Sequence, residues 1–259
     1  DGKTMYFSRN DFNKQILGKS DIGITNLKIY KATLVEGKWT NIIELQFNSN
    51  AYSISHPALN ADDSKLYFTS DMPGGFGGTD LYYVDVNSNG TYSAPQNLGN
   101  FVNTNKNESF PYINSENTLF FSSDGHPGLG MLDVFGTVSN KDNTIVSIIN
   151  LGIPVNSSKD DFSFSMNEDG LSGYFASNRD GGVGSDDIYA YNRIPQLKIE
   201  GTVTDGATNS PVANAIVTLL DANNNPIAAL ETDNNGHYNI NIDRDSDYIL
   251  NIKKQNYVD

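Results

Sequence analysis

Apolar positions in the first three quarters of the chain fall into short runs, each bounded by Gly, Asn, Asp or Ser. In Lys65-Leu66-Tyr67-Phe68-Thr69-Ser70, Leu66, Phe68 and Ser70 alternate with Tyr67 and Thr69, the two-residue period of a strand with one buried face. Leu81-Tyr82-Tyr83-Val84 is a continuous apolar run between turn residues, as a strand buried on both sides would be. The turn Asn87-Ser88-Asn89-Gly90 follows, and Tyr92 through Leu98 supplies a further strand. Nothing in residues 1–194 has the spacing of a long helix. The pattern predicts an all-β protein.

The runs recur in a fixed order. His56-Pro57-Ala58-Leu59 leads to Leu66-Tyr67-Phe68-Thr69-Ser70-Asp71, a loop with Gly74, Gly75, Gly77 and Gly78, and Asp80-Leu81-Tyr82. The same order returns from Phe110-Pro111 to Asp133-Val134-Phe135, with Gly130 in the loop. It returns again from Asp161-Phe162 to Asp187-Ile188-Tyr189, with Gly184 in the loop. Asp80, Asp133 and Asp187 lie 53 and 54 positions apart, close to the roughly 40–50 residues of propeller blades. Lys3 to Asn10 and Leu27-Lys28-Ile29-Tyr30 form an earlier, degraded copy, with Lys28 in the Asp position and its innermost segment missing. Four strands per unit at this period predict β-propeller blades.

After Ile194-Pro195 the period changes. Leu197–Thr204, Ala215–Leu220, Ile227–Thr232, His237–Ile242 and Tyr248–Ile252 read as strands separated by turns such as Asp233-Asn234-Asn235-Gly236. Such spacing predicts a small β-sandwich. The expected domains are therefore propeller blades over 1–194, incomplete at the N-terminal side, and a sandwich over 195–259. The chain opens in mid-pattern at Asp1-Gly2-Lys3 and stops at Tyr257-Val258-Asp259, which predicts a slice of a longer protein.

Composition narrows the chemistry. The 17 basic and 31 acidic side chains give a net charge of −14, which argues against nucleic acid as a partner, since such binders carry basic patches. No apolar run approaches the ~20 residues of a spanning helix. With no cysteine, disulfides, thiolate catalysis and Cys-based zinc sites are excluded. His56, His126 and His237 sit in different repeats at no metal-ligand spacing and read as turn or packing residues. Trp39, the single tryptophan, reads as blade packing rather than a sugar platform. Asp80, Asp133 and Asp187 could form an acidic ring for a cation or substrate, or could cap the preceding loops through local hydrogen bonds. A feature repeated in each blade serves every blade, which favours the capping reading. Gly77, Gly130 and Gly184 are taken the same way, because a phosphate-cradling loop needs a helix after it and here a strand follows. Asp243, Asp245 and Asp247 resemble the start of a calcium loop, yet the later Gly and bidentate Glu are missing, so they read as a solvated turn with calcium as the weaker option. No catalytic constellation and no cofactor are expected.

The segment from His56-Pro57-Ala58-Leu59 to Gly77-Gly78-Thr79-Asp80-Leu81-Tyr82 resembles the WD40-like PD40 repeat, also found in TolB-type proteins. Gly201-Thr202-Val203-Thr204-Asp205, Pro211-Val212-Ala213-Asn214-Ala215 and Thr232-Asp233-Asn234-Asn235-Gly236-His237-Tyr238 resemble a carboxypeptidase regulatory-like domain of the transthyretin-like sandwich type. In this order the two resemble the middle of OmpA-family envelope proteins of Bacteroidota associated with type IX secretion. That resemblance implies a lipoprotein at the periplasmic side of the outer membrane, further blades upstream and an OmpA-like domain downstream. It further implies a non-enzymatic scaffold whose partners are envelope proteins of an outer-membrane complex. Peptidoglycan would be bound through a domain these residues do not include. The alternative is a calcium- or glycan-binding envelope module.

Overall fold

Strands and turns make up a computed structural model that describes residues 2–10, 12–13, 16–18, 23–195, 197–243 and 246–257, and no helix occurs among them. The chain divides into two compact units, residues 1–193 and 194–259.

The first unit holds four larger antiparallel sheets in series, besides a two-stranded ladder of Phe12–Asn13 and Ile16–Leu17. The first consists of Thr4–Asn10, Leu27–Val35 and Lys38–Glu44; the second of Ile54–Leu59, Lys65–Ser70, Asp80–Asp85 and Gln96–Asn97. The third is Glu108–Ile113, Leu119–Ser123, Asp133–Ser139 and Ile145–Asn150, and the fourth Asp161–Met166, Ser172–Ser177 and Asp187–Asn192. In each sheet the strands are neighbours in chain order, the meander of a propeller blade. Among the described residues the first sheet has no inner strand and the fourth no outer one. The expected strand Tyr92–Leu98 shrinks to Gln96–Asn97 plus a single bridge from Val86 to Tyr92. Pro95 has no N–H with which to continue the ladder.

Apolar residues between successive sheets make three cores. Phe68, Leu66, Val84 and Tyr82 pack with Ile29 and Phe47 between the first and second sheets. Leu81, Phe121, Phe135 and Val102 fill the space between the second and third, and Val134, Phe120, Phe164 and Phe175 that between the third and fourth. Asp80–Asp85 and Asp133–Ser139 thus bury one face on the preceding sheet and one on the following sheet.

In the second unit Leu197–Thr202 pairs with His237–Ile242, while Ile216–Asp221 pairs with both Pro226–Glu231 and Tyr248–Lys253. Val217, Leu219 and Ile240 form its core. These boundaries differ from the sequence reading by one or two residues, because strand ends are set by ladder geometry rather than by composition.

Candidate functional site

The repeated aspartates close the loops before them. Asp80 is buried and accepts from the Phe76 and Gly77 N–H groups at 2.6 and 3.0 Å and from Asn97 Nδ2 at 2.8 Å. Asp133 accepts from the N–H groups of Leu129 and Gly130 and from Asn150 Nδ2. Asp187 accepts from the Val183 and Gly184 N–H groups. The three carboxylates therefore each face their own loop. A Cβ on Gly77 would sit 2.1 Å from the Lys106 carbonyl oxygen, and one on Gly130 2.0 Å from that of Lys159. Those glycines let each loop lie against the next blade's. A Cβ on Gly184 would meet its own loop, at Asp186 O, 3.0 Å away.

A second set of repeated side chains escaped the sequence reading. Asn103 Oδ1 accepts from the Leu81 N–H at 2.8 Å while its Nδ2 donates to the Leu81 carbonyl at 3.0 Å. Asn156 grips Val134 in the same way, at 2.8 Å for both bonds. Asn48 does so to Ile29, at 2.9 and 2.7 Å. The signal was present as Asn97-Leu98-Gly99-x-x-Val102-Asn103 and Asn150-Leu151-Gly152-x-x-Val155-Asn156, 53 residues apart. It lies in the connection between blades, where no strand pattern directs attention. Just beyond, Asp161 is fully buried and bonds Arg179 Nη2 at 2.5 Å; that guanidinium also donates to the Pro154 and Val155 carbonyls and lies over the Phe175 and Tyr189 rings.

The feature that points to binding is at the inner strands. All three break register after their second residue, between Ser55 and Ala58, Ser109 and Tyr112, and Phe162 and Ser165. Within each bulge one residue has left-handed backbone: His56 at φ 52°, Phe110 at 54° and Ser163 at 52°. Such a conformation costs on the order of 1–3 kcal/mol at a non-glycine residue and persists where the surroundings impose it. Pro57 and Pro111 follow directly, at positions where the bulge requires no ladder N–H. The result is a stack of rings: His56 on Phe110 at 4.0 Å between centroids, and Phe110 beside Phe162 at 5.0 Å. A cleft of about 540 Å³ opens beside them, lined by His56, Pro57, Phe110, Pro111 and Tyr112 among others. Burial pushes the His56 imidazole down to about 4, so it is neutral at neutral pH. Its Nδ1 meets Thr69 Oγ1 at 3.4 Å. The surface is aromatic, uncharged and strained into place, suited to stacking rather than to proton transfer.

The other singled-out residues are dispersed. His126 packs against Phe121 and Phe135 and meets the Val102 carbonyl at 2.8 Å. His237 pairs with Thr202 across two strands. Trp39 is 42% exposed on the outer strand of the first sheet, rather than packed within a blade. Asp243 and Asp247 are exposed in the turn after His237–Ile242, and Asp245 lies outside the described residues. Among the described residues no three His, Asp or Glu side chains group as metal ligands.

Residues 198–259 match the family model of the carboxypeptidase regulatory-like domain. This regulatory-like domain is the second unit of the fold, with its two small sheets. No curated protein matches the chain. Three solved structures similar to it are a puromycin-hydrolysing peptidase from Mycobacterium tuberculosis, an α-L-arabinofuranosidase from Lactobacillus brevis and a protein described as TolB from Agrobacterium tumefaciens. Identities are 16%, 12% and 10%, with TM-scores of 0.36, 0.45 and 0.35. The matches cover 74%, 82% and 93% of this chain, and 29%, 72% and 99% of the other chains. The chain thus spans less than a third of the peptidase.

Proposed function

We propose that the chain is a non-catalytic interaction module of the bacterial envelope, in which the blades present a binding surface. The observation that carries this reading is the ring stack of His56, Phe110 and Phe162 at the bulged inner strands. Left-handed backbone at His56, Phe110 and Ser163 holds the rings in one arrangement. Aromatic side chains beside a cleft favour contact with a protein segment, since they bring large apolar area at low entropic cost. In finer detail the partners are proteins of an outer-membrane machine of the type IX secretion kind, and attachment to peptidoglycan belongs to a domain outside these residues.

Cross-linked co-purification of the full-length protein from its native host tests this. Outer-membrane assembly components should be retained by the wild type and by Trp39→Ala, and lost with Phe110→Ser, a change chosen because Ser163 takes the same backbone conformation in its own blade. Equal retention by all three, or no envelope protein at all, would refute the reading. Glycan binding is the second reading, favoured by the same rings, which could stack on sugar faces. Saturable heat with muropeptides, abolished by Phe110→Ser, would select it.

A further inference from the structure

The second and third sheets, each of four strands, differ in character at their two ends. At one end the turns 60–64, 87–91, 114–118 and 140–144 carry a single apolar side chain, Ala61. Their charges are the acidic Asp62, Asp63, Glu116 and Asp142 against Lys141 alone. The opposite end is made by loops 71–79, 98–107, 124–132 and 151–160, and it presents large apolar side chains to water. Phe76, Phe101 and Leu129 are each about half exposed, and Met131 and Ile153 are 71% and 81% exposed. Phe76 and Leu129 hold the same place in their loops, 53 residues apart.

Local geometry turns these tips outward. Phe76 stands between Gly75 and Gly77, and Leu129 between Gly128 and Gly130. A Cβ on Gly75 or Gly128 would overlap the Asp80 or Asp133 carboxylate, and one on Gly77 or Gly130 the Lys106 or Lys159 carbonyl. Each loop is thus closed on its carboxylate at one side and on the next loop at the other. The N–H groups of Phe76 and Leu129 are themselves held by Asp80 and Asp133, so the tips cannot fold back. Acidic groups at this end are drawn in: Asp71, Asp124 and Asp160 accept from the N–H groups of Ser53, Asn107 and Leu132. Lys106 and Lys159 are exposed next to the tips.

We propose that this end docks on a phospholipid bilayer of neutral headgroups, with Phe76, Phe101, Leu129, Met131 and Ile153 entering the boundary between headgroups and acyl chains. Protein hot spots sit in packed clusters ringed by contacts that keep water out. A tip between two glycines has no side chain beside it to build that ring, whereas a fluid apolar phase closes around a solitary tip without one. Lys106 and Lys159 lay their stems along that phase and keep their ammonium groups among the headgroups. The net charge of −14 selects neutral over anionic membranes, because like charges repel. This end is distinct from the ring stack on the inner strands, so lipid docking and retention of envelope proteins succeed or fail independently.

Flotation of the intact chain with phosphatidylcholine vesicles tests this. The wild type should rise with the vesicles. The double variant Phe76→Ser with Leu129→Ser should partition at least about tenfold more weakly, the effect of withdrawing two such side chains from an apolar phase. Val146→Ser, which removes a similarly exposed apolar group from an outer strand, should partition as the wild type does. Added phosphatidylglycerol should weaken binding, and added salt should restore it. In a Trp39→Phe background, Phe76→Trp should give emission that moves to the blue with vesicles, a readout that holds even where the serine variants fail to fold. No flotation, equal flotation of the double variant, binding to anionic vesicles alone, or Phe76→Trp emission unmoved by vesicles would each overturn the proposal. So would a partner protein retained by the wild type and lost by the double variant while neither binds vesicles, which would assign this end to a protein.

Discussion

The His56 imidazole is neutral in the native chain because its ring is buried against Phe110, with its constant at about 4 against 6.5 for a free histidine. Between those values the unfolded chain takes up a proton that the native chain does not. Stability from this residue is therefore complete above about pH 6.5, falls as pH drops towards 4, and is level below it, at about 1.4 kcal/mol per pH unit within the window. Phe110 shows that a phenyl ring fits the same bulge conformation, so His56→Phe should fold. The difference in unfolding free energy between wild type and His56→Phe should shrink by on the order of 3 kcal/mol from pH 7 to pH 4. Urea titrations at several pH values measure it, and a difference constant with pH would show an ordinary histidine.

Asparagine does at the element scale what the strands cannot do for themselves. Near its start the third strand of a blade has an N–H group that the outer strand does not pair, while the carbonyl of the same residue accepts from Leu45, Leu98 or Leu151 N–H, and a buried, unpaired backbone group is costly. Asn48, Asn103 and Asn156 each pair that N–H through Oδ1 and give the carbonyl a second donor through Nδ2. Asn103→Ala should cost about 2–3 kcal/mol in chemical unfolding, from an unsatisfied Leu81 N–H in a buried setting. Asn87→Ala is the control: its side chain bonds Thr91 across an exposed turn, and it should cost under about 0.5 kcal/mol. Similar losses for the two would mean that the clamp does not hold the blade. The strand runs, the turn residues and the 53-residue repeat were legible in the sequence because they follow from local periodicity. The asparagine clamp was not, since its meaning depends on a contact across 22 residues.

The core of the second unit shares no residue with the three cores of the blades. Val217, Leu219 and Ile240 pack with residues between Ile199 and Leu250, whereas every core residue of the blades lies before 193. Val217 is fully buried, and Val217→Ala removes two methyl groups at a cost of about 1–3 kcal/mol. Calorimetry should show that this substitution lowers one transition and leaves a second, belonging to the blades, where it was. A joint shift of the whole profile would mean that the two units unfold as one.

By itself the sequence determined the strand class, the repeat and the place where it ends, because alternation and turn chemistry are properties of neighbouring residues. It also marked Asp80, Asp133 and Asp187 as equivalent. What these carboxylates face was decided by the tertiary structure, through the path of the loops that wrap them. Tertiary structure alone raised the His56–Phe110–Phe162 stack, since the bulges that align the rings come from strand pairing across blades. It alone turned Phe76 and Leu129 out to solvent, because each loop is held between its own carboxylate and the Lys106 or Lys159 carbonyl of the next, a relation between blades that no single segment encodes.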